Sequence, residues 1–152
     1  MFERTMVAGW GDMDFNGHMR NTAYLDKSED SRMMFFSENG FPMREFARLR
    51  LGPVVMKDEI EYFRETNLLE NLTVTLAVAG LADDGSRFLL RNEFFRADGK
   101  MAARVTSTGG WLDLAARKLV VPPPALQEAL RLLPHSSDYQ PLPTSNRQGE
   151  SG

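Results

Sequence analysis

The stretch Asp12-Met13-Asp14-Phe15-Asn16-Gly17-His18-Met19-Arg20-Asn21, with the run from Thr22 to Glu38 directly behind it, decides how the rest of the chain is read. Asp, Asn and Gly tolerate irregular backbone and bond it locally, so residues 11–17 are turn chemistry. Behind the turn, Tyr24, Ser28, Ser31 and Phe35 step by four, three and four residues and so share one face of a helix. Asn21 or Thr22 is expected to cap its start, Asp26 suits the positive end of its dipole, and Asn39-Gly40 with Pro42 suits its stop. The small residues at 28 and 31 predict that something broad, a sheet, lies close against that face.

Working outward, residues 1–10 read as a first strand and 43–49 as a short helical turn. Four strand-like runs follow. In 54–63, Val54, Met56, Ile60 and Tyr62 alternate with Lys57, Glu59 and Glu61; in 72–81, Leu72, Val74, Leu76 and Val78 alternate with smaller residues. Runs 87–96 and 100–113 are joined by Ala97-Asp98-Gly99-Lys100, and Asp83-Asp84-Gly85 makes a second tight turn. Strands linked this briefly must be antiparallel. Pro122-Pro123-Pro124 ends the sheet region, and 125–133 reads as a short helix. The prediction is an α+β domain over 1–133, with one long helix and a four- or five-stranded meander, then a polar C-terminal tail over 134–152. An unpaired edge strand makes dimerisation through that edge a reasonable expectation.

Composition excludes several function classes. Among 152 residues, 18 Lys+Arg against 21 Asp+Glu give a net charge of −3, which argues against a general nucleic-acid or anionic-membrane binder. With no cysteine there is no disulfide framework, cysteine nucleophile or thiolate metal site, and two histidines leave little for a His-based one. No stretch approaches the roughly 18 apolar residues of a membrane span, and residues 1–10 lack a basic-then-apolar signal pattern. A cytoplasmic domain is the expectation.

The densest chemical signal remains the loop. D-x-D-x-N-G matches the first half of a calcium-binding EF-hand loop, but loop position twelve, which needs a bidentate Glu, is Ala23, and Arg20 would bring positive charge to the ion. A strand, an acidic turn and a helix N-terminus form a more productive geometry. The first N–H groups of a helix have no intrahelical partners and point outward with the positive dipole end. They can hold a developing oxyanion while an upstream carboxylate supplies a base or nucleophile, which suits hydrolysis of a thioester.

The run Trp10-Gly11-Asp12-Met13-Asp14-Phe15-Asn16-Gly17-His18-Met19-Arg20-Asn21-Thr22-Ala23-Tyr24-Leu25 resembles the D-x-D-x-x-G-H-V-N-N-x-x-Y-L motif of hotdog-fold acyl-CoA thioesterases. The branch it is most similar to is that of 4-hydroxybenzoyl-CoA thioesterase. Gly52-Pro53-Val54-Val55, Glu61-Tyr62-Phe63-Arg64, Asp98-Gly99-Lys100-Met101-Ala102-Ala103 and Leu119-Val120-Val121-Pro122 resemble that family in order and spacing, over 1–131. The resemblance implies a hotdog fold, in which a five-stranded antiparallel sheet wraps a long central helix. It also implies hydrolysis of acyl-CoA to a carboxylic acid and coenzyme A, without metal or prosthetic group, by a homodimer or homotetramer.

By the same resemblance Asp14 matches the catalytic carboxylate, as nucleophile or general base, and the Asn21 backbone N–H matches the group that polarises the carbonyl. Gly17 matches the glycine that lets backbone approach the substrate, and His18 the motif's histidine, which orients loop or thioester. The usual Val-Asn is Met19-Arg20 here, so Arg20 either favours an anionic acyl group or faces solvent. Tyr24 matches the motif tyrosine and is a substrate-binding candidate.

Against these stand plainer readings. Asp14 and Asp12 are both good turn formers. Asp58 interrupts an apolar alternation, either as a group reaching a site across a dimer or as a solvated or paired carboxylate at a strand irregularity. Gly109-Gly110 marks close approach of a ligand or partner backbone, or a bulge. Rival functions are a hydratase or dehydratase on acyl thioesters, with His18 in the central role, a thioesterase acting on acyl carrier protein, and a non-catalytic acyl-CoA-binding domain.

Overall fold

A computed structural model describes residues 1–144. The elements are β1 (Glu3–Val7), a single 3-10 turn (Trp10–Asp12), α1 (Asn21–Glu38), α2 (Met43–Leu49), β2 (Leu51–Tyr62), β3 (Asn71–Ala82), β4 (Arg87–Phe95), β5 (Met101–Asp113), β6 (Lys118–Val120), α3 (Pro124–Arg131) and β7 (His135–Leu142). Strands follow the order β1-β3-β4-β5-β2, all antiparallel, and α1 lies across one face. This is the expected α+β hotdog plan. Its five-stranded path is extended to seven strands by β6 on β5 and by β7, which runs parallel to β3. Among the described residues no helix is long and apolar enough to cross a membrane.

The spacing-based helix face is the buried one: Tyr24, Ser28, Ser31 and Phe35 are all buried. Two aspects of its start differ from expectation. The N-cap is Arg20, with no side-chain cap bond, and no acidic residue lies in the first turn. Under the helix the inner face of the sheet is built by period-two alternation, with Leu72, Val74, Leu76 and Val78 from β3 beside Phe88, Leu90, Asn92 and Phe94 from β4. Buried apolar residues fall into two clusters. One surrounds Tyr24, Leu72, Phe94 and Val105 near the start of α1, and the other surrounds Phe36, Phe46, Phe88 and Trp111 near its end.

A polar layer separates them. Asn92 Nδ2 donates to Ser31 Oγ (2.7 Å) and to the Thr75 carbonyl (2.9 Å), while its Oδ1 accepts from Arg32 Nε (2.9 Å). Ser28 and Ser31 turn their hydroxyls back onto the Tyr24 and Ser28 carbonyls, so no large side chain stands between helix and sheet. Ser107 on β5 extends the layer outward by donating to Asp58 on β2.

β2 departs from the expected alternation. Pairing with β5 shifts between Val55 and Lys57, which leaves Met56 as the extra residue. Before the bulge Pro53 and Val55 oppose Trp111 and Gly109 on the inner face; after it Asp58, Ile60 and Tyr62 oppose Ser107, Val105 and Ala103 on that face. Val54 and Met56 therefore do not belong to the face assigned from sequence, because one inserted residue reverses the parity. Asp58, just beyond the bulge, accepts a hydrogen bond from Ser107 within the chain. The polar stretch expected as a tail from 134 is docked over its first part: His135–Leu142 pairs with β3, and Arg91 on β4 clamps Asp138 through Nη1 and Nη2.

Gly109 is required by close approach. A Cβ there would lie 2.3 Å from the Val54 carbonyl and 2.7 Å from the Phe88 ring. Gly109→Ala is expected to destabilise the fold by about 2 kcal/mol or more, since neither a strand carbonyl nor a buried ring can give way cheaply. Urea unfolding checks this; an unchanged midpoint and slope would contradict it.

Candidate active site

The loop between the 3-10 turn and α1 is held from several sides. Asp12 Oδ2 accepts from the Gly9 amide (2.8 Å) and pairs with Lys27 Nζ on α1 (3.0 Å), and the Asp12 carbonyl accepts from the Arg20 amide (2.8 Å). Partial burial opposes ionisation of this carboxyl, but the Gly9 amide and Lys27 outweigh it and hold its pKa below the ordinary value. Asp12 is thus a brace between the turn and the helix. Met19, buried beneath the loop, bonds the Thr66 carbonyl through its amide (2.9 Å) and ties the loop to the segment after β2.

Asp14 sits on the exposed part of this loop. Its Oδ1 accepts from the His18 amide (3.0 Å) and the Asn16 amide (2.8 Å), and its own amide donates to the His18 carbonyl (2.7 Å). Both side-chain bonds fall on one oxygen, which leaves Oδ2 for another partner. The His18 amide is the main reason the Asp14 carboxyl ionises below its ordinary range, with the Asn16 amide and the charge of Arg20 adding to it. Gly17 closes the loop with φ +78°, a backbone conformation natural to glycine, and a Cβ there would meet nothing within 4 Å. Its requirement here is conformational rather than a matter of space.

From Arg20 the chain enters α1. The first amides that turn back are those of Ala23 and Tyr24, both to the Arg20 carbonyl (3.1 and 3.4 Å), so the Asn21 amide stands ahead of the helix ladder. The helix behind it is 18 residues long and presents its positive dipole end here. A cavity of about 420 Å³ gathers Asp14, His18, Met19, Asn21 and Tyr24 with Tyr62, Phe63, Arg64 and Glu65. A carboxylate and an unengaged helix-end amide on one cavity are what polarisation and attack at a carbonyl require. Among the described residues no three His, Asp or Glu side chains converge to hold a metal ion.

Four residues named from sequence therefore share one cavity: Asp14, His18, Asn21 and Tyr24. His18 pairs through Nε2 with Glu65 Oε2 (3.0 Å). Tyr24 forms the floor; its buried hydroxyl is bonded to Thr66 Oγ1 (2.9 Å), and burial raises its pKa. Gly17, Arg20 and Asp58 stand outside the lining. Arg20 folds back to donate to the Met13 carbonyl rather than reaching the cavity, and Asp58 lies four residues along β2 from Tyr62. Residues 62–65, at the end of β2, were not singled out as site residues from sequence. Their signal was the aromatic pair Tyr62-Phe63 followed by charges just where the strand pattern stops.

The family model described as Thioesterase-like superfamily matches residues 8–130. No curated protein matches the chain. Among solved structures, a Staphylococcus aureus protein characterised in complex with CoA is 21% identical, with a TM-score of 0.78 over 86% of this chain and 82% of that one. A gentisyl-coenzyme A thioesterase is 17% identical (TM-score 0.75; 85% of this chain, 99% of that one). A 1,4-dihydroxy-2-naphthoyl-CoA thioesterase from Synechocystis is also 17% identical (TM-score 0.76; 86% and 95%).

Because the Asp12 pKa is lowered on folding, its contribution is full above the ordinary value of 3.8 and is lost as pH falls through the lowered native value. Asp12→Ala is expected to cost about 1 kcal/mol at neutral pH, as for loss of a helix-start cap. The gap to the parent should narrow below pH 4 in paired urea titrations. A gap that stays constant down to pH 2.5 would contradict the brace.

Proposed function

The chain belongs to the thioesterase-like superfamily, and on that premise we propose that it hydrolyses an acyl-CoA thioester to a carboxylic acid and coenzyme A. The observation that carries this reading is the pairing of a loop carboxylate having one free oxygen, Asp14, with the forward-facing Asn21 amide on a single cavity. The thioester carbonyl oxygen accepts from the Asn21 amide, where the helix dipole favours the negative charge that grows during attack. Asp14 Oδ2 then takes a proton from water as the water oxygen bonds to the acyl carbon. The tetrahedral intermediate collapses, the C–S bond breaks, and the sulfur leaves as thiolate and is protonated. If Asp14 attacks directly, an anhydride forms first and water releases the acid from it; both routes need the carboxyl ionised, as its lowered pKa provides at neutral pH.

His18, held by Glu65, fixes the loop whose amide bonds Asp14. That same His–carboxylate pair is the observation favouring a second reading, a hydratase acting on an unsaturated acyl thioester. Under the hydrolase reading, His18→Ala slows thiol release and adds no water across an enoyl-CoA; under the hydratase reading, the parent hydrates enoyl-CoA and the variant does not. Coenzyme A and the acyl group are the expected partners, and a second copy of the chain through an edge strand is the expected assembly.

Asp14→Asn is the decisive variant. Turnover of acyl-CoA, followed by free thiol release, is expected to fall at least about a hundredfold, the scale of a lost base or nucleophile. Its melting temperature should stay within a few degrees of the parent, because Asp14 is exposed. Parent-like turnover in Asp14→Asn would refute the assignment.

A further inference from the structure

Arg32 is an arginine in a place that normally holds an apolar residue. It lies on the buried side of α1 at 6% exposure, with Nε bonded to Asn92 Oδ1. Its Nη2 is buried and has no hydrogen-bond partner among the described residues. A buried guanidinium N–H left unmatched is costly, so a missing acceptor is implied. Burial lowers its pKa to about 10, which still leaves it cationic at neutral pH.

Arg32 lines a second cavity of about 290 Å³, together with Phe36, Val55, Phe88, Leu90 and Trp111. That cavity and the one holding Asp14 are both bounded by α1 on one side and β2 on the other. The first lies at Asn21 and Tyr62, the second at Arg32 and Pro53, so they follow one another along the seam between α1 and β2, the groove that an acyl chain entering at Asn21 would take. Eleven helical residues separate Asn21 from Arg32, about 16 Å along the axis. A helical side chain leans only slightly toward the N-terminus, so the span to bridge stays at about 16 Å, which an extended chain of about eight carbons covers with a hydrogen bond of about 2.9 Å at each end.

The charge around Arg32 limits what the acceptor is. Asp58 and Glu29 both act on it electrostatically, so the cluster already carries one positive and two negative charges. A further carboxylate would be repelled, whereas a hydroxyl or carbonyl oxygen accepts from Nη2 with no new charge.

We propose that Arg32 is the specificity-determining residue of this groove, and that its free N–H selects acyl groups bearing a neutral oxygen partway along an otherwise apolar chain. This rests on the thioesterase reading, and the test separates the two. The substrates are octanoyl-CoA, its terminally hydroxylated analogue and its terminally carboxylated analogue, each assayed for thiol release. The parent is expected to prefer the hydroxylated chain over the plain one at least tenfold in kcat/KM, with the carboxylated chain the poorest. Arg32→Met, which keeps the length without donors, should bring the hydroxyl-to-plain ratio close to one, and Arg32→Lys should restore it only in part. A parent ratio near one, or a preference for the carboxylated chain, overturns the proposal without need of any variant and leaves the thioesterase reading standing. If the parent hydrolyses none of the three, the thioesterase reading fails and takes this inference with it.

Discussion

The hydrogen bonds around Asn92 fix how the long helix meets the sheet. One buried carboxamide on β4 binds buried Ser31 and Arg32 of α1 and the carbonyl of half-buried Thr75 on β3. Each such bond adds only about 1 kcal/mol net, but breaking the set would leave several buried groups unmatched at about 1–3 kcal/mol apiece. The layer therefore acts as a register pin. It tolerates one placement of α1 over the sheet, with Ser28 and Ser31 at the contact and an apolar cluster on either side.

That placement determines the site. Once α1 is pinned at its middle, its first residue emerges beside the end of β2, and the connection back to β1 must cover the gap. The loop does so with Asp12 tied to Lys27, Met19 tied to the segment after β2, and Asp14 folded around the His18 and Asn16 amides. A carboxylate and a helix-end amide are thereby held on one cavity, by His18 and Met19, which also line it, and by Asp12, Asn16 and Lys27, which do not. The exposed β2 edge, with its inward-facing Asp58 and Tyr62, borders the same groove.

Much of this was legible in the sequence. The four-three-four spacing of Tyr24, Ser28, Ser31 and Phe35 located the buried helix face, a period-two run located β3, and the Asp-Gly pairs located the hairpins and with them β4 and β5. What escaped depends on distant partners. Arg32 looks like any surface arginine until Asn92, sixty residues later, is folded onto it. The Met56 bulge reverses the inward face of β2, and no alternation count reveals an inserted residue. Strand β7 has no apolar rhythm because only part of it pairs, parallel, along β3, and Asp138 needs Arg91 to hold it. Of the site, the loop residues were readable because they are contiguous; Tyr62 to Glu65 were not, since they reach the cavity from the end of β2 and the segment after it.

The central claim, that carbonyl polarisation by the Asn21 amide is paired with Asp14, is tested most directly by a crystal structure with an acyl-CoA analogue. Replacing the thioester sulfur by a methylene gives a ketone that binds but cannot be hydrolysed. The account predicts its carbonyl oxygen at about 2.7–3.1 Å from the Asn21 backbone nitrogen, with the carbonyl carbon facing Asp14 Oδ2 directly or across one water. A carbonyl bound away from the start of α1, or with Asp14 turned out of the cavity, would contradict it.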